Sequence, residues 1–137
     1  MALSFDGISQ YVDMGNPSVL QITEGSWMIW FKVNPTSNWV QMFSKRYLSS
    51  YYCYGYWASL QGKTGVYEVG VGNNTPFFGY YKYGSTALDD GTVHHLAGTF
   101  SNSDGLRVYV DGVEASGTIG GGSKPSTIGT NGEYFYI

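Results

Sequence analysis

Asp90-Gly91-Thr92-Val93-His94-His95-Leu96-Ala97-Gly98-Thr99-Phe100 leads through the polar loop Ser101-Asn102-Ser103-Asp104-Gly105 into Leu106-Arg107-Val108-Tyr109-Val110-Asp111-Gly112. The stretch reads as a strand, a short loop, a second strand and a tight turn. Residues that switch faces at every step suit a pleated, half-buried surface. Asp-Gly marks the turn, because glycine accepts positive φ and aspartate tolerates it.

The same pattern continues outward. Residues 26–33 alternate with Trp27, Ile29, Phe31 and Val33 on one side and Met28, Trp30 and Lys32 on the other. Both faces carry apolar groups, so this strand is expected to be central or to show a partly solvated aromatic face. Asn34-Pro35-Thr36-Ser37-Asn38 breaks it, since proline lacks an amide donor, and residues 39–45 read as the next strand. Residues 51–60 form a long aromatic strand. Tyr52, Tyr54, Tyr56 and Ala58 share one face; Tyr51, Cys53, Gly55, Trp57 and Ser59 share the other. Residues 61–65 suit a hairpin loop into residues 66–71, where Tyr67, Val69 and Val71 oppose Val66 and Glu68. Asn73-Asn74-Thr75-Pro76 then predicts a turn, residues 77–83 another strand, and residues 120–125 a flexible glycine loop. No long helical period stands out. Short strands with turns every eight to twelve residues predict a sandwich or barrel.

Composition narrows the class. At 137 residues the chain reads as one domain, residues 1–137, and a chain near this length buries roughly 68% of its unfolded surface. Twenty glycines and thirteen tyrosines suit strands joined by tight turns. A single cysteine, Cys53, excludes an internal disulfide and a Cys-rich zinc site. Net charge is −3 with scattered basic residues, which argues against nucleic acid, whose binding needs clustered Lys and Arg. No apolar run approaches membrane-spanning length, so no membrane insertion is expected, and no basic and apolar leader pattern is read at the start.

Four stretches together resemble the laminin-G-like, concanavalin A-like family: residues 3–7 with 11–13, residues 26–35, residues 92–100 and residues 106–112. The pairing of the last two at this spacing is the specific part. The resemblance implies an all-β jelly-roll sandwich of two antiparallel sheets, one concave, that binds carbohydrate or protein in secreted or cell-surface proteins. It also implies structural roles for His94 and His95, one packed and one at the surface. The family pattern continues past residues 126–129 into a further acidic strand, whereas residues 132–137 look too short to supply it. An unfilled slot beside the N-terminal strand would then invite strand addition or a homo-oligomer through that edge.

Within this frame the expected function is non-catalytic, lectin-like carbohydrate recognition by a concave aromatic face. Ring faces cover apolar sugar C–H surfaces while amides and hydroxyls read the sugar hydroxyls. Tyr52, Tyr54 and Tyr56 form the expected platform, with Trp39, Tyr81, Tyr83, Asn73 and Asn74 as neighbours. The alternative for these tyrosines is cross-strand packing. No cofactor is expected. Asp6 and Asp13, with Asp104 or Asp111, could supply oxygens for calcium, although turn chemistry accounts for all four. The four glutamates, Glu24, Glu68, Glu114 and Glu133, are isolated, which does not suit the paired acids of a glycosidase. The rival functions are a structural or self-assembling sandwich, as in a surface, viral or phage assembly, and a protein-binding module.

Overall fold

The computed structural model describes residues 3–6, 9–49, 52–75, 79–130 and 132–137, with only the backbone at residues 47–49, 52 and 75. Nine strands are formed among the described residues: β1 (Gly25–Lys32), β2 (Val40–Ser49), β3 (Tyr52–Leu60), β4 (Val66–Thr75), β5 (Tyr80–Ala87), β6 (Val93–Ser101), β7 (Gly105–Val110), β8 (Val113–Ala115) and β9 (Thr118–Gly121). They make two antiparallel sheets, one ordered β1-β6-β7-β8 and one ordered β2-β3-β4-β5-β9. The architecture is the expected all-β sandwich.

Alternation decides what lies between the layers. β1 turns Trp27, Ile29 and Phe31 inward, while Met28 and Trp30 stay 67% and 68% exposed. Leu96, Phe100, Leu106 and Val108 from the four-stranded sheet meet Tyr56, Ala58, Leu60, Val69 and Val71 from the five-stranded one. Each fully buried aliphatic or aromatic side chain of this kind stabilises by about 1.5–3 kcal/mol relative to exposure.

The two ends of the chain complete the five-stranded sheet. Residues 12–15 and 135–137 pair with each other: Val12 N–H donates to the Ile137 carbonyl at 2.7 Å and Ile137 N–H returns to Val12 at 3.0 Å. On its other side Tyr136 exchanges two 2.9 Å bonds with Ser44 of β2. The open slot expected from the short C-terminal stretch is therefore filled by the chain itself, and the edge once expected to recruit a second copy is occupied. Phe135 and Ile137 pack on the core. Buried Lys45 clamps both ends, its Nζ donating to Asn16 Oδ1 and the Glu133 carbonyl, each at 2.6 Å.

Other expectations shift for identifiable reasons. Residues 73–75 continue β4, with Asn74 at φ 54 absorbing the bend predicted there as a turn; Pro76, Phe77 and Phe78 lie outside the described residues. Residues 118–121 form β9, so of the loop expected at residues 120–125 only residues 122–125 lie outside a strand. Glycine is needed there because a methyl at Gly120 would run into the Tyr81 ring, and one at Gly121 into the Gly79 carbonyl. Residues 3–5 and 126–129 form no strand. Residues 126–129 are held by contacts such as Ile128 N–H to the Thr23 carbonyl, at 2.7 Å.

Candidate functional site

The outer face of the five-stranded sheet carries a cross-strand row that can be read from the pairing alone. Tyr136 opposes Ser44, Ser44 opposes Trp57, Trp57 opposes Gly70, Gly70 opposes Tyr81, and Tyr81 opposes Gly120. Paired residues project to the same side, so rings alternate with small residues along the row. Adjacent strands lie about 4.8 Å apart, which spreads the rings over roughly 19 Å. Tyr11 and Tyr134 flank Tyr136, with ring centroids 5.6 and 6.4 Å from it. Tyr83 lies 6.2 Å from Tyr81.

Trp57 anchors the centre. It is fully buried although it faces away from the core. A side chain at Gly70 would collide with its six-membered ring, so the indole lies flat across β4. Its Nε1–H donates to Glu68 Oε1 at 3.0 Å, and Gln61 Nε2 donates to Glu68 Oε2 at 3.3 Å. The Arg46 guanidinium caps the ring 4.5 Å from its centroid, a cation–π contact. Burial lowers the Arg46 pKa against the opposing pull of Cys53 and Glu68, but a guanidinium stays charged at any physiological pH. Burial pushes the Cys53 thiol up to about 12, which leaves it neutral and inert. Burial, and then the charges of Glu68 and Tyr83, also raise the Tyr81 phenol.

The predicted residues are divided by this geometry. Tyr81 and Tyr83 stand on the outer face, as part of the row and its flank. Tyr56 faces the core, 4% exposed and packed on Trp27, Phe43 and Phe135. Its face is the inner one, so a platform of alternate β3 tyrosines is not assembled at the surface. Tyr54 sits at the strand end and donates to Asn74 Oδ1 at 2.8 Å. Asn73 Nδ2 holds Thr127 at 2.9 Å. Trp39 is 61% exposed just before β2, and the Tyr52 side chain lies outside the described residues. Arg46, Glu68 and Tyr136 were not singled out as contact residues by sequence reasoning. Arg46 and Glu68 reach Trp57 from the strands on either side of β3, and Tyr136 joins the row from residues 135–137.

The aspartates considered for calcium are engaged locally. Asp6 accepts from Ser9 and Gln10, Asp13 from Gly15 N–H, and Asp104 from Ser101. Asp111 accepts from the His95 amide and the His94 ring. Among the described residues no group of three or more His, Cys, Asp or Glu is arranged to hold a metal ion. No helix is long and apolar enough to cross a membrane among the described residues. A shallow hollow of about 540 Å³ lies beside Pro35, Lys63, Thr64 and Asp89, but no aromatic ring lines it.

His94 and His95 point to opposite faces, as adjacent strand residues must. His95 lies beside exposed Trp30, ring centroids 4.8 Å apart. His94 is held between two carboxylates at the edge of the sandwich.

Neither the curated proteins nor the solved structures contain a match to the chain. The family model described as concanavalin A-like lectin/glucanases superfamily, of laminin-G type, matches residues 6–137. With the two antiparallel sheets and the hairpin of β6 and β7 in place, the chain belongs to the concanavalin A-like lectin/glucanase superfamily.

Proposed function

We propose that this sandwich is a non-catalytic binding module that takes carbohydrate across the outer face of its five-stranded sheet. The observation that carries the reading is the row Tyr136, Ser44, Trp57, Gly70 and Tyr81, in which rings alternate with small residues. The Tyr136 and Tyr81 rings toward its two ends offer apolar surface to sugar C–H faces, fully buried Trp57 forms the floor between them, and the intervening small residues leave room for the ring substituents. Arg46 and the tyrosine hydroxyls supply polar contacts beside them.

Glu68 supports binding over hydrolysis. Both of its oxygens are engaged, and its cross-strand neighbours Ser59 and Tyr83 provide no second carboxyl. Glycoside hydrolysis calls for a pair of acids, about 5 Å apart in retaining enzymes. A glycan-array screen of the purified chain tests the reading, run with calcium and again with EDTA. Specific hits that weaken in Tyr81→Ala are expected; a blank from a folded sample would sink it.

A second reading rests on a separate face. Met28, Trp30 and Val93 are all more than 60% exposed on the four-stranded sheet, and such patches suit protein contacts. Concentration-dependent light scattering that disappears in Trp30→Lys would favour self-association through that face.

A further inference from the structure

Arg46 is the least satisfied charged group on the proposed binding face. Its guanidinium lies over Trp57, and it makes no hydrogen bond or ion pair with any described residue. The residues across the sheet from it are Gly55 and then Gly72, neither of which puts a side chain beside its head. Five N–H donors in a half-desolvated position are costly to leave unmade. Stacking on Trp57 also fixes the fork, which lowers the entropy lost when a partner docks.

The surrounding charges do not supply that partner. Glu68 is directed to Trp57 and Gln61. Cys53 is neutral. Neighbouring Lys45 is turned to the opposite side of β2, where it holds Asn16 and Glu133. Asp13 stands at the far edge of the sheet, beyond Tyr136, and accepts from Gly15. We infer that Arg46 is a specificity-determining residue that selects a sugar carrying a carboxylate, such as a uronic acid, for the row between Tyr136 and Tyr81. A planar carboxylate matches the guanidinium fork by two parallel N–H···O bonds, the strongest neutral-pH partner available to it. The rings on either side would then cover the adjoining sugar units. This inference rests on the carbohydrate reading and adds the chemical class of the ligand.

The test is calorimetric titration of the full chain with an oligogalacturonide and with the same oligosaccharide methyl-esterified at its carboxyls. The acid form is expected to bind about tenfold or more tightly than the ester. Arg46→Met should erase that preference and Arg46→Lys should restore part of it, because lysine keeps the charge without the fork. Salt gives an independent arm should Arg46→Met fail to fold: wild-type affinity for the acid should fall between low and high ionic strength, while that for the ester stays level. Equal, salt-independent binding of acid and ester would overturn the inference and leave the carbohydrate reading standing. Absence of binding to these and to every arrayed glycan would remove both.

Discussion

The Asp111 carboxylate bonds two consecutive histidines in different ways: its Oδ2 lies 2.8 Å from His94 Nδ1, while its Oδ1 accepts the backbone N–H of His95 at 2.8 Å. On the other side of the ring, His94 Nε2 faces Asp90 Oδ1 at 3.2 Å and Thr92 Oγ1 at 3.1 Å. Two carboxylates facing two ring nitrogens favour the doubly protonated ring, which donates to both. The turn before β6 and the turn after β7 are thereby tied through one imidazolium.

This arrangement sets a pH window for stability. The Asp111 hydrogen bond, opposed by burial and helped by Asp90, raises the His94 pKa. Its contribution is present in full below the unfolded value, about 6.5, and is lost as pH rises through the higher folded value. Hydrogen bonds from Thr92, and then from His94, lower Asp90; those from the His95 amide and then His94 lower Asp111. Their contributions are present above about pH 3.9 and are lost as pH falls through the folded values. Urea midpoints should therefore be highest near pH 5–6 and decline toward pH 8, and His94→Gln should flatten the alkaline limb. An unchanged alkaline limb in that variant would contradict the clamp.

Replacing Lys45 by methionine keeps most of the buried volume but leaves Asn16 Oδ1 and the Glu133 carbonyl without this donor. A destabilisation of about 1–3 kcal/mol is expected. Hydrogen exchange should quicken first at the amides of residues 12–15 and 135–137. Uniform loss of protection, with those amides no faster than β6, would show that the lysine does not staple the ends.

The two aromatic classes on the five-stranded sheet should separate cleanly. Trp57→Ala and Tyr56→Ala remove buried rings and should each cost about 3–5 kcal/mol in denaturant titrations. Tyr81→Ala, at a half-buried outer position, should cost much less and act on glycan binding instead. A Tyr81→Ala protein as unstable as Trp57→Ala would place Tyr81 among the structural rings.

Gly70 is expected to tolerate no side chain. A methyl there meets the Trp57 ring, and overpacking of this sort costs about 1–3 kcal/mol. Gly70→Ala should also shift the Trp57 fluorescence, because the indole has to tilt off β4 and away from Glu68. A stable variant with unchanged emission would argue against the flat seat.

The sandwich was legible because β6 and β7 carry alternation closed by an Asp-Gly turn, and β1 alternates too, with Trp27, Ile29 and Phe31 inward although Met28 and Trp30 make its outer face apolar as well. The binding face was harder to read. Both faces of β3 are rich in rings, so alternation separates Tyr56 from Trp57 without saying which is inside. What decides is the packing around each ring: Trp27 from the opposing sheet and Phe43 and Phe135 from the same one converge on Tyr56, while Gly70 admits Trp57 on the other side. Glu68 looked isolated because its partners, Trp57 and Gln61, come from β3 and the hairpin loop after it. Residues 132–137 looked too short for a strand, since a few residues gain standing only when bonded on both sides, here by Val12 and Ser44.

The pairing of the two ends also has a mechanical consequence. Val12 and Ile137 are bonded directly opposite each other in an antiparallel arrangement, so the chain leaves both residues at the same end of the pair. Tension drawn through the two ends would load these bonds one after another, like teeth of a zipper, and not share the load across all of them in shear. Peeling at low force should therefore strip residues 135–137 from residues 12–15 before either sheet gives way.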